Sequence, residues 1–343
     1  MRAVVLSEYR GDVAEAIRGL QVMERPVPRP RRGQVLIKMA AAPCNPSDLL
    51  LLQGKYGTLK TLPTVPGWEG AGTVVATGGG LLGRWLMGKR VACAVRSDRD
   101  GTWAEYMVAN ADNCIALKSG VPTEQGASLI INPLTAQAML ETAQRAGHLA
   151  GVHTAGASQL GRMMIAMAGD LNYPLINIVR RDAQAEVVRS LGAKYILNST
   201  SEGFAGELKT LCERLKATAA FEAIAGDMTG AVLNAMPSGA TAYVYGALSQ
   251  EACGNIDPIG LVFHSKTVTG FFLGNWLNQR GAIGILRAAG RVQRLIIEGQ
   301  IGTTVQRRIN LEEVVDGLLQ YVGHMTDGKV LIMPHGTNAS DAK

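Results

Sequence analysis

The chain has 343 residues, about twice the length of a typical domain, so we expect two domains. Apolar residues make up 47% and charged residues 18% of the sequence, which excludes a chain that is disordered throughout. The formal net charge of +6 is spread along the sequence. Its densest basic cluster, Arg29–Arg32, has no aromatic neighbours, so we expect a solvated loop there and no nucleic-acid partner.

The cysteines and the apolar stretches indicate the cellular compartment in which we expect the protein. Five cysteines lie far apart with no C-x-x-C pair, which favours free thiols in a reducing cytoplasm over a disulfide framework or a zinc ribbon. The first thirty residues lack the apolar region of a signal peptide. The longest apolar-leaning stretch, 228–250, is interrupted by Pro237 and several glycines, so we expect no membrane span and no membrane partner.

The first 124 residues have the pattern of a β-rich, barrel-like domain. Short strand candidates at 3–6, 34–38, 72–76 and 90–94 are bounded by Gly and Pro. Helices long enough to connect parallel strands are missing between them. A compact barrel is therefore predicted for this part of the chain.

From about residue 125 helical patterns alternate with short apolar strands. The sequence predicts six strands at 151–155, 175–179, 194–197, 219–224, 241–245 and 267–271. Six strands with intervening helices are typical of a doubly wound nucleotide-binding sheet. Beyond residue 270 we expect a helix at 281–298, a strand at 304–308, a helix at 311–321 and a strand at 329–333. The small, polar segment 337–343 is predicted to be a flexible tail.

A glycine-rich turn follows the first of these strands. Residues 156–161 form a G-x-G-x-x-G pattern with serine in the middle position. The pattern asks for a tight turn at Gly156, close backbone approach to a pyrophosphate at Ser158 and helix–strand contact at Gly161. An ordinary glycine-rich turn remains the alternative, but the position between a strand and a helix favours a dinucleotide site.

The end of the second strand indicates which dinucleotide is bound. A sheet that binds NAD usually carries an acidic residue there, whereas this strand ends in Arg180, Arg181 and Asp182. Two guanidinium groups suit a 2′-phosphate, so we predict NADPH. Asp182 is also a candidate cap of the next helix, and a solvated charged turn is the alternative explanation of the whole segment.

Metal ligands are missing where zinc-dependent alcohol dehydrogenases carry them. Asn45 precedes Pro46-Ser47-Asp48 where those enzymes have cysteine, and Trp68 precedes Glu69 where they have histidine. Tryptophan cannot bind zinc. Cys44 is one position out of register and is expected to be a buried apolar residue. We therefore predict no catalytic metal.

Together these segments resemble the zinc-free branch of the medium-chain dehydrogenase/reductase superfamily, most closely its NADPH-dependent trans-2-enoyl thioester reductases. The matching stretches occur in order along nearly the whole chain, at 45–48, 53–57, 66–70, 132–136, 156–161, 179–182, 270–273 with Trp276, and 328–331. The resemblance implies an α/β fold with a GroES-like catalytic domain over 1–124 and 271–336 and a Rossmann domain over 125–270. It also implies a homodimer formed through the strand at 267–271.

The resemblance further implies site residues. Tyr56, in the segment Q-G-x-Y-G, takes the position of an active-site tyrosine, and Asn132 lies near the nicotinamide. The remaining implied cofactor contacts form four groups: the pyrophosphate turn (Gly156, Ser158, Gln159, Leu160, Gly161), the adenosine-phosphate pocket (Arg180, Arg181, Asp182), loops beside the nicotinamide (Gly246, Ala247, Leu248, Ser249, Phe271, Phe272, Leu273, Gly274), and Lys329. Gln159 and Leu160 depart from the usual Gly-Val pair, and Gly274 stands where serine is common.

The implied reaction is the reduction of an activated C=C bond by hydride transfer from NADPH to the β-carbon. Tyr56, neutral at pH 7, would stabilise the enolate oxygen. Two alternatives stay open: a quinone or enone as the acceptor, and a non-catalytic NADPH-binding structural or sensor protein. From its glycine-rich surroundings alone, Tyr56 would be interpreted as a surface aromatic in a loop.

Overall fold

Fifteen strands and twelve helices make up the described chain, residues 1–95 and 98–336 of a computed structural model. In chain order the strands are β1 (Arg2–Val5), β2 (Gln21–Glu24), β3 (Gln34–Pro43), β4 (Glu69–Thr77), β5 (Arg90–Ala94), β6 (Tyr106–Asn110), β7 (Cys114–Ala116), β8 (Gly151–His153), β9 (Leu175–Val179), β10 (Tyr195–Asn198), β11 (Ala219–Glu222), β12 (Thr241–Val244), β13 (Thr267–Gly270), β14 (Val305–Ile309) and β15 (Lys329–Ile332).

The helices separate the strands mainly in the middle of the chain. They are α1 (Val13–Arg18), α2 (Pro46–Leu52), α3 (Leu81–Leu86), α4 (Thr123–Ala127), α5 (Ile131–Arg145), α6 (Gln159–Asp170), α7 (Asp182–Ser190), α8 (Phe204–Leu215), α9 (Asp227–Ala235), α10 (Pro258–Phe263), α11 (Leu273–Ile297) and α12 (Val314–Gly323). Within the described residues no helix is both long and apolar enough to cross a lipid bilayer.

The chain divides into two units by its internal contacts. Unit 1 contains Met1–Ile131 and the chain from Ala282 onward, and unit 2 contains Asn132–Gly281. The division falls seven residues after the expected boundary at 124/125 and eleven after the one at 270/271. The predicted tail, 337–343, lies outside the described residues.

Unit 1 is β-rich, as its sequence predicts. A seven-stranded sheet has the order β14-β15-β3-β4-β5-β7, with β6 also paired to β3, and β1 and β2 form a separate ribbon. The long strand β3 pairs with β4 and β6, and near its end Ala42 and Pro43 pair with β15. The late strands β14 and β15 therefore return to this unit, and β15 brings Lys329 beside the beginning of α2.

Unit 2 contains a six-stranded parallel sheet in the order β10-β9-β8-β11-β12-β13. This doubly wound order confirms the predicted α/β fold class, and the strand order reverses between β8 and β11. All five residues of β9 are buried, which explains its continuous apolar sequence. β8 ends two residues before the predicted limit because Ala155 turns the chain with φ +54°.

The helix at the boundary between the two units also differs from the prediction. The helix expected at 281–298 begins instead at Leu273, and Gly281 interrupts it with φ +66° and ψ 169°. Glycine adopts this backbone conformation without the steric cost that a side chain would add. The division between the units falls at this interruption.

Candidate functional site

The pyrophosphate turn lies between β8 and α6. Ser158 is the N-cap of α6, and its Oγ accepts a hydrogen bond from the N–H of Gly161 at 3.1 Å. A Cβ at Gly161 would lie 2.3 Å from the carbonyl oxygen of Gly156, so only glycine allows this close packing of the helix on the strand. The beginning of α6 is the place where the fingerprint predicts that a phosphate binds.

The basic pair follows the next strand. Arg180 and Arg181 are exposed at the end of β9, and within the described chain neither guanidinium group has a hydrogen-bond or ion-pair partner. The N-cap of α7 is Arg181 and not Asp182, whose carboxylate lies in the first turn and accepts a hydrogen bond from Asn198 Nδ2 at 2.8 Å. Two uncommitted guanidinium groups are thus available to an anionic ligand.

A buried carboxylate ties the neighbouring strands together. Glu222, the last residue of β11, accepts hydrogen bonds from the N–H groups of Ile224 and Ala225 and from the hydroxyls of Thr154 and Thr229, at 2.7–3.2 Å. These bonds shape the two loops on either side of the point where the strand order reverses. The sequence analysis did not single out Glu222, because an isolated acid in an apolar strand carries no motif.

The remaining predicted cofactor residues of unit 2 lie at the same edge of its sheet or near it. Gly246–Ser249 follow β12, and the N–H groups of Leu248 and Ser249 donate to the loop after β11. Phe271 and Phe272 follow β13, whereas Leu273 and Gly274 belong to the first turn of α11. Asn132, buried in the first turn of α5, begins this unit.

This edge fits a dinucleotide. The carboxyl ends of β8, β9, β11, β12 and β13 carry the turns just described, and parallel sheets bind nucleotides at this edge where the strand order reverses. The close contact at Gly161 and the two unpaired guanidinium groups are the features that a pyrophosphate and an extra phosphate require.

In unit 1 the helix α2 leads the chain to Tyr56. The helix begins after Asn45 with proline in its first turn, and it ends before Gly54, which has φ +69°. Tyr56 is half-buried, and its ring lies against the Trp68 indole with centroids 4.8 Å apart and planes tilted by 35°. Burial, with a contribution from Asp48, raises the pKa of Tyr56 above its usual value, so the hydroxyl keeps its proton at neutral pH.

A buried charged network lies on both sides of Asn45. The Lys329 ammonium donates to the Asn45 side-chain oxygen and to the Cys44 carbonyl, and Asn45 Nδ2 donates to Glu69 at 3.1 Å. Asp48 accepts from the N–H groups of Asn45 at 2.7 Å and Trp68 at 3.0 Å. Two carboxylates and one ammonium are therefore removed from water together.

Burial shifts the proton equilibria in this network. It raises the pKa of Asp48 to about 7 and also raises the pKa of Glu69. It lowers the pKa of Lys329, while the attraction of Glu69 opposes that change. Lys329 is only 2% exposed, and its ammonium has protein partners inside unit 1. The cofactor contact suggested for Lys329 stays a prediction.

Trp68 is also in contact with Lys60. Its ammonium lies 4.7 Å from the Trp68 ring centroid and donates to the carbonyl of Arg99 at 2.7 Å. Burial lowers the pKa of Lys60 to about 8. Trp68 is thus held by a cation and by the Tyr56 ring, and its backbone N–H is held by Asp48.

Asn45 and Trp68, which stand where zinc-dependent enzymes carry metal ligands, belong to this network. Asn45 bonds to Lys329 and Glu69, and Trp68 packs on Tyr56. Cys44 is fully buried, as expected, and burial raises the pKa of its thiol. In residues 1–95 and 98–336 no three His, Cys, Asp or Glu side chains form a group that could hold a metal ion.

Two domain families match the sequence. Residues 31–119 match the alcohol dehydrogenase GroES-like domain, and residues 160–287 match the family described as zinc-binding dehydrogenase. The chain is 29% identical over 306 residues to the mitochondrial enoyl-[acyl-carrier-protein] reductase of Caenorhabditis elegans, which covers 86% of this chain and 85% of that protein.

Solved structures of similar proteins have the same fold. A candidate NADPH:quinone reductase from Mesorhizobium loti has a TM-score of 0.90 and 35% identity, over 97% of this chain and 98% of that one. A mycobacterial protein complexed with NADPH has a TM-score of 0.81 and 24% identity, over 97% of this chain and 100% of that one. The second likeness, at lower identity, shows the fold alone.

Proposed function

The chain belongs to the zinc-free branch of the medium-chain dehydrogenase/reductase superfamily and is an NAD(P)-dependent oxidoreductase, and from this premise we propose that it reduces an activated C=C bond with NADPH. The substrate class that we propose is a trans-2-enoyl thioester, carried by coenzyme A or by an acyl carrier protein. The observation that carries this proposal is the half-buried Tyr56, whose hydroxyl stays protonated beside Trp68.

NADPH is the cofactor that the arginine pair favours. Arg180 and Arg181 follow the second strand of the parallel sheet, where the adenosine ribose binds in doubly wound folds. Their unpaired guanidinium groups suit the 2′-phosphate that distinguishes NADPH from NADH. The mycobacterial neighbour, which shares the fold, is complexed with NADPH.

The proposed role of Tyr56 follows from where charge develops. Bound NADPH supplies the hydride that the β-carbon of the substrate accepts. As the C=C bond is reduced, negative charge moves to the carbonyl oxygen of the thioester, and a neutral donor aimed there lowers the barrier. The Tyr56 hydroxyl would donate to that oxygen, and it can also supply the proton for the α-carbon.

The buried network would support Tyr56 by position and charge. Trp68, against which the tyrosine ring lies, is fixed through its backbone by Asp48 and over its ring by Lys60. The ammonium of Lys329 offsets part of the negative charge of Asp48, the carboxylate that acts on Tyr56. With less negative charge near Tyr56, its hydroxyl is a better hydrogen-bond donor to an enolate oxygen.

A quinone is the second candidate acceptor, because the Mesorhizobium loti neighbour at 35% identity is named for that activity. Quinone reduction also builds negative charge on an oxygen atom, so a Tyr56 donor would serve both acceptors. The distinction must come from turnover.

Three parallel assays test the proposal. Purified protein is mixed with NADPH and either crotonyl-CoA, 1,4-benzoquinone or no acceptor, and NADPH consumption and products are measured. The proposal predicts butyryl-CoA in an amount equal to the NADPH consumed, and no consumption without acceptor. Turnover with the quinone alone would favour the second candidate, and inactivity with both would contradict the reaction class.

We propose further that the protein is a cytoplasmic homodimer. The edge strand β13 has no second neighbour in the described sheet, and exposed apolar residues of α10, Val262 and Phe263, precede it. Pairing with a second copy would satisfy this edge. Four of the five free cysteines are buried, which suits a reducing compartment. Light scattering of the wild type and of Thr269→Pro tests the dimer, with a monomer expected for the variant.

A further inference from the structure

An exposed apolar surface lies in unit 1 around the short helix α3. We call it the α3 patch and define it as Val75, Leu81, Leu82, Trp85 and Met87, each at least 41% exposed. Leu81 is 89% exposed and Trp85 55% exposed. Scattered single apolar residues are normal on surfaces, but five exposed ones between residues 75 and 87 ask for an explanation.

The geometry of α3 gathers Leu81, Leu82 and Trp85 on its outer face. Leu81 and Trp85 are four residues apart and Leu82 and Trp85 are three apart, spacings that place side chains side by side on a helix. Gly83 and Leu86 are buried and hold the inner face against the sheet. The N–H of Gly88 donates to the carbonyl of Val74. This bond places the segment that follows α3 beside β4, the strand that carries Val75.

The chain around the α3 patch carries only positive charge along two stretches. Residues 25–47 contain five Arg or Lys and no Asp or Glu, and residues 70–95 contain three Arg or Lys and no Asp or Glu. Their formal charge of +8 exceeds the +6 of the whole chain. The basic cluster Arg29–Arg32 noted in the sequence belongs to the first stretch.

The fold brings these two stretches together. Gly33 N–H donates to the carbonyl of Gly79 at 3.1 Å, and Gly78 N–H donates to the carbonyl of Gln34 at 3.0 Å. A Cβ at Gly78 would lie 2.1 Å from the carbonyl oxygen of Arg31, so the arginine loop packs directly on the turn that precedes α3.

Basic side chains lie beside the patch. Arg31, Arg32 and Arg84 are exposed, and the ammonium of Lys89 lies 3.2 Å from the Trp85 ring centroid. None of these four groups forms an ion pair within the described chain. One acid, Asp112, lies in the 3₁₀ turn Ala111–Asn113, whose first N–H bonds to Gly33, so the net charge of the surface remains positive.

We propose that the α3 patch and its basic rim bind the surface of an anionic lipid membrane. Leu81, Leu82 and Trp85 would enter the boundary between headgroups and acyl chains, and the arginines and Lys89 would contact anionic headgroups. Tryptophan is the side chain most enriched at that boundary. The proposal does not depend on the reaction that the protein catalyses.

A membrane explains these features better than a protein partner does. The three most prominent apolar side chains, Leu81, Leu82 and Trp85, project from a single helix of six residues, whereas a stable protein interface needs about 800 Å² on each partner, with complementary shape. A lipid surface adapts to projecting side chains and needs no groove. The expectation of no membrane partner rests on the lack of a spanning segment, and a surface contact needs none.

The tryptophans allow a selective measurement. Trp85 is the exposed one, whereas Trp68, Trp103 and Trp276 are at most 8% exposed. The full-length protein is mixed with vesicles of phosphatidylcholine containing phosphatidylglycerol, and separately with phosphatidylcholine alone. We expect co-sedimentation with the anionic vesicles, weakened by salt, together with a blue shift of the fluorescence and quenching by brominated acyl chains. The Trp85→Phe variant should co-sediment without the shift.

Variants separate the apolar and charged contributions. The double variant Leu81→Ser/Trp85→Ser should bind anionic vesicles at least about tenfold more weakly. The triple variant Arg31→Gln/Arg32→Gln/Arg84→Gln should bind about a hundredfold more weakly. The matched control is Leu149→Ser in unit 2, which removes an apolar residue that is 71% exposed and should leave binding unchanged.

The outcomes decide the proposal directly. Circular dichroism and NADPH-dependent turnover without vesicles should be the same in all variants, because none of these residues belongs to the candidate active site. Equal binding to neutral and anionic vesicles, no binding, or full binding by the double variant would overturn the proposal. Capture of a purified acidic carrier protein by the wild type, without vesicle binding, would assign the surface to a protein instead.

Discussion

The aromatic ring of Tyr56 lies on the indole of Trp68, with 4.8 Å between their centroids. Trp68 takes the sequence position of a histidine ligand in zinc-dependent alcohol dehydrogenases. The Lys60 ammonium lies 4.7 Å from the centroid of the Trp68 ring. In those enzymes the residue at this position binds the metal. In this chain it packs against the ring of Tyr56. This relationship leads to the first prediction.

Removing the Tyr56 hydroxyl should slow the chemical step. For Tyr56→Phe we expect kcat with an enoyl thioester to fall about a hundredfold or more, because one donor to the developing oxyanion is lost. The KM for NADPH should stay within about twofold of the wild type, since the substitution leaves the ring in place. Steady-state kinetics at several pH values measures both quantities.

Tyr106→Phe is the matched control for that variant. Tyr106 is also partly buried in unit 1, where its ring meets the edge of His335. We expect its kinetics to match those of the wild type. Undiminished turnover of Tyr56→Phe on every accepted enoyl substrate would remove Tyr56 from the mechanism.

The arginine pair should decide between NADPH and NADH. In Arg180→Ala/Arg181→Ala the KM for NADPH should rise at least about tenfold, because charge-assisted hydrogen bonds to the 2′-phosphate are lost. The KM for NADH should change little. Arg189→Ala, which removes an exposed arginine of α7 paired with Glu186, serves as the control. An equal effect on both cofactors would contradict the assigned role.

The close packing at Gly161 should be required for cofactor binding. In Gly161→Val the new Cβ would meet the Gly156 carbonyl oxygen at 2.3 Å and push α6 away from β8. We expect a loss of about 1–3 kcal/mol in the free energy of unfolding and weakened NADPH binding. Gly169→Ala in the same helix meets no atom within 4 Å and should bind NADPH normally. Urea unfolding and calorimetry report the two effects, and normal NADPH binding by Gly161→Val would contradict the prediction.

The buried Asp48 should make stability depend on pH. Its pKa is raised from 3.8 to about 7, so between these values the folded protein holds a proton that the unfolded chain releases. The free energy of unfolding should therefore decrease as pH rises from about 4 to about 7. In Asp48→Asn this contribution is absent, so the variant should lose less stability across that interval. Urea unfolding at about pH 5 and about pH 8 tests this, and an identical pH dependence in both proteins would contradict it.

The sequence predicts the parallel sheet well because its signals are local. Apolar runs such as 175–179 alternate with amphipathic helices, and glycine marks the turns, as at Gly156 and Gly161. The short helices α1 and α2 lack such signals. Each has at most seven residues, too few to show a clear helical period.

The buried network of unit 1 could not be predicted from the sequence, because its residues are far apart along the chain. Lys329 and Asn45 are 284 positions apart, and only the pairing of β15 with β3 brings them together. The sequence shows Asp48 and Glu69 as parts of motifs, but not that one ammonium would share their burial. By contrast, Arg180 and Arg181 could be placed at the end of β9 because they directly follow a predicted strand.

Calorimetric titration of the purified wild type with NADPH and with NADH is the measurement that tests the central claim most directly. The account predicts saturable binding of NADPH with one site per chain, at least about tenfold tighter than that of NADH. Absence of NADPH binding, or equal affinity for the two cofactors, would contradict it.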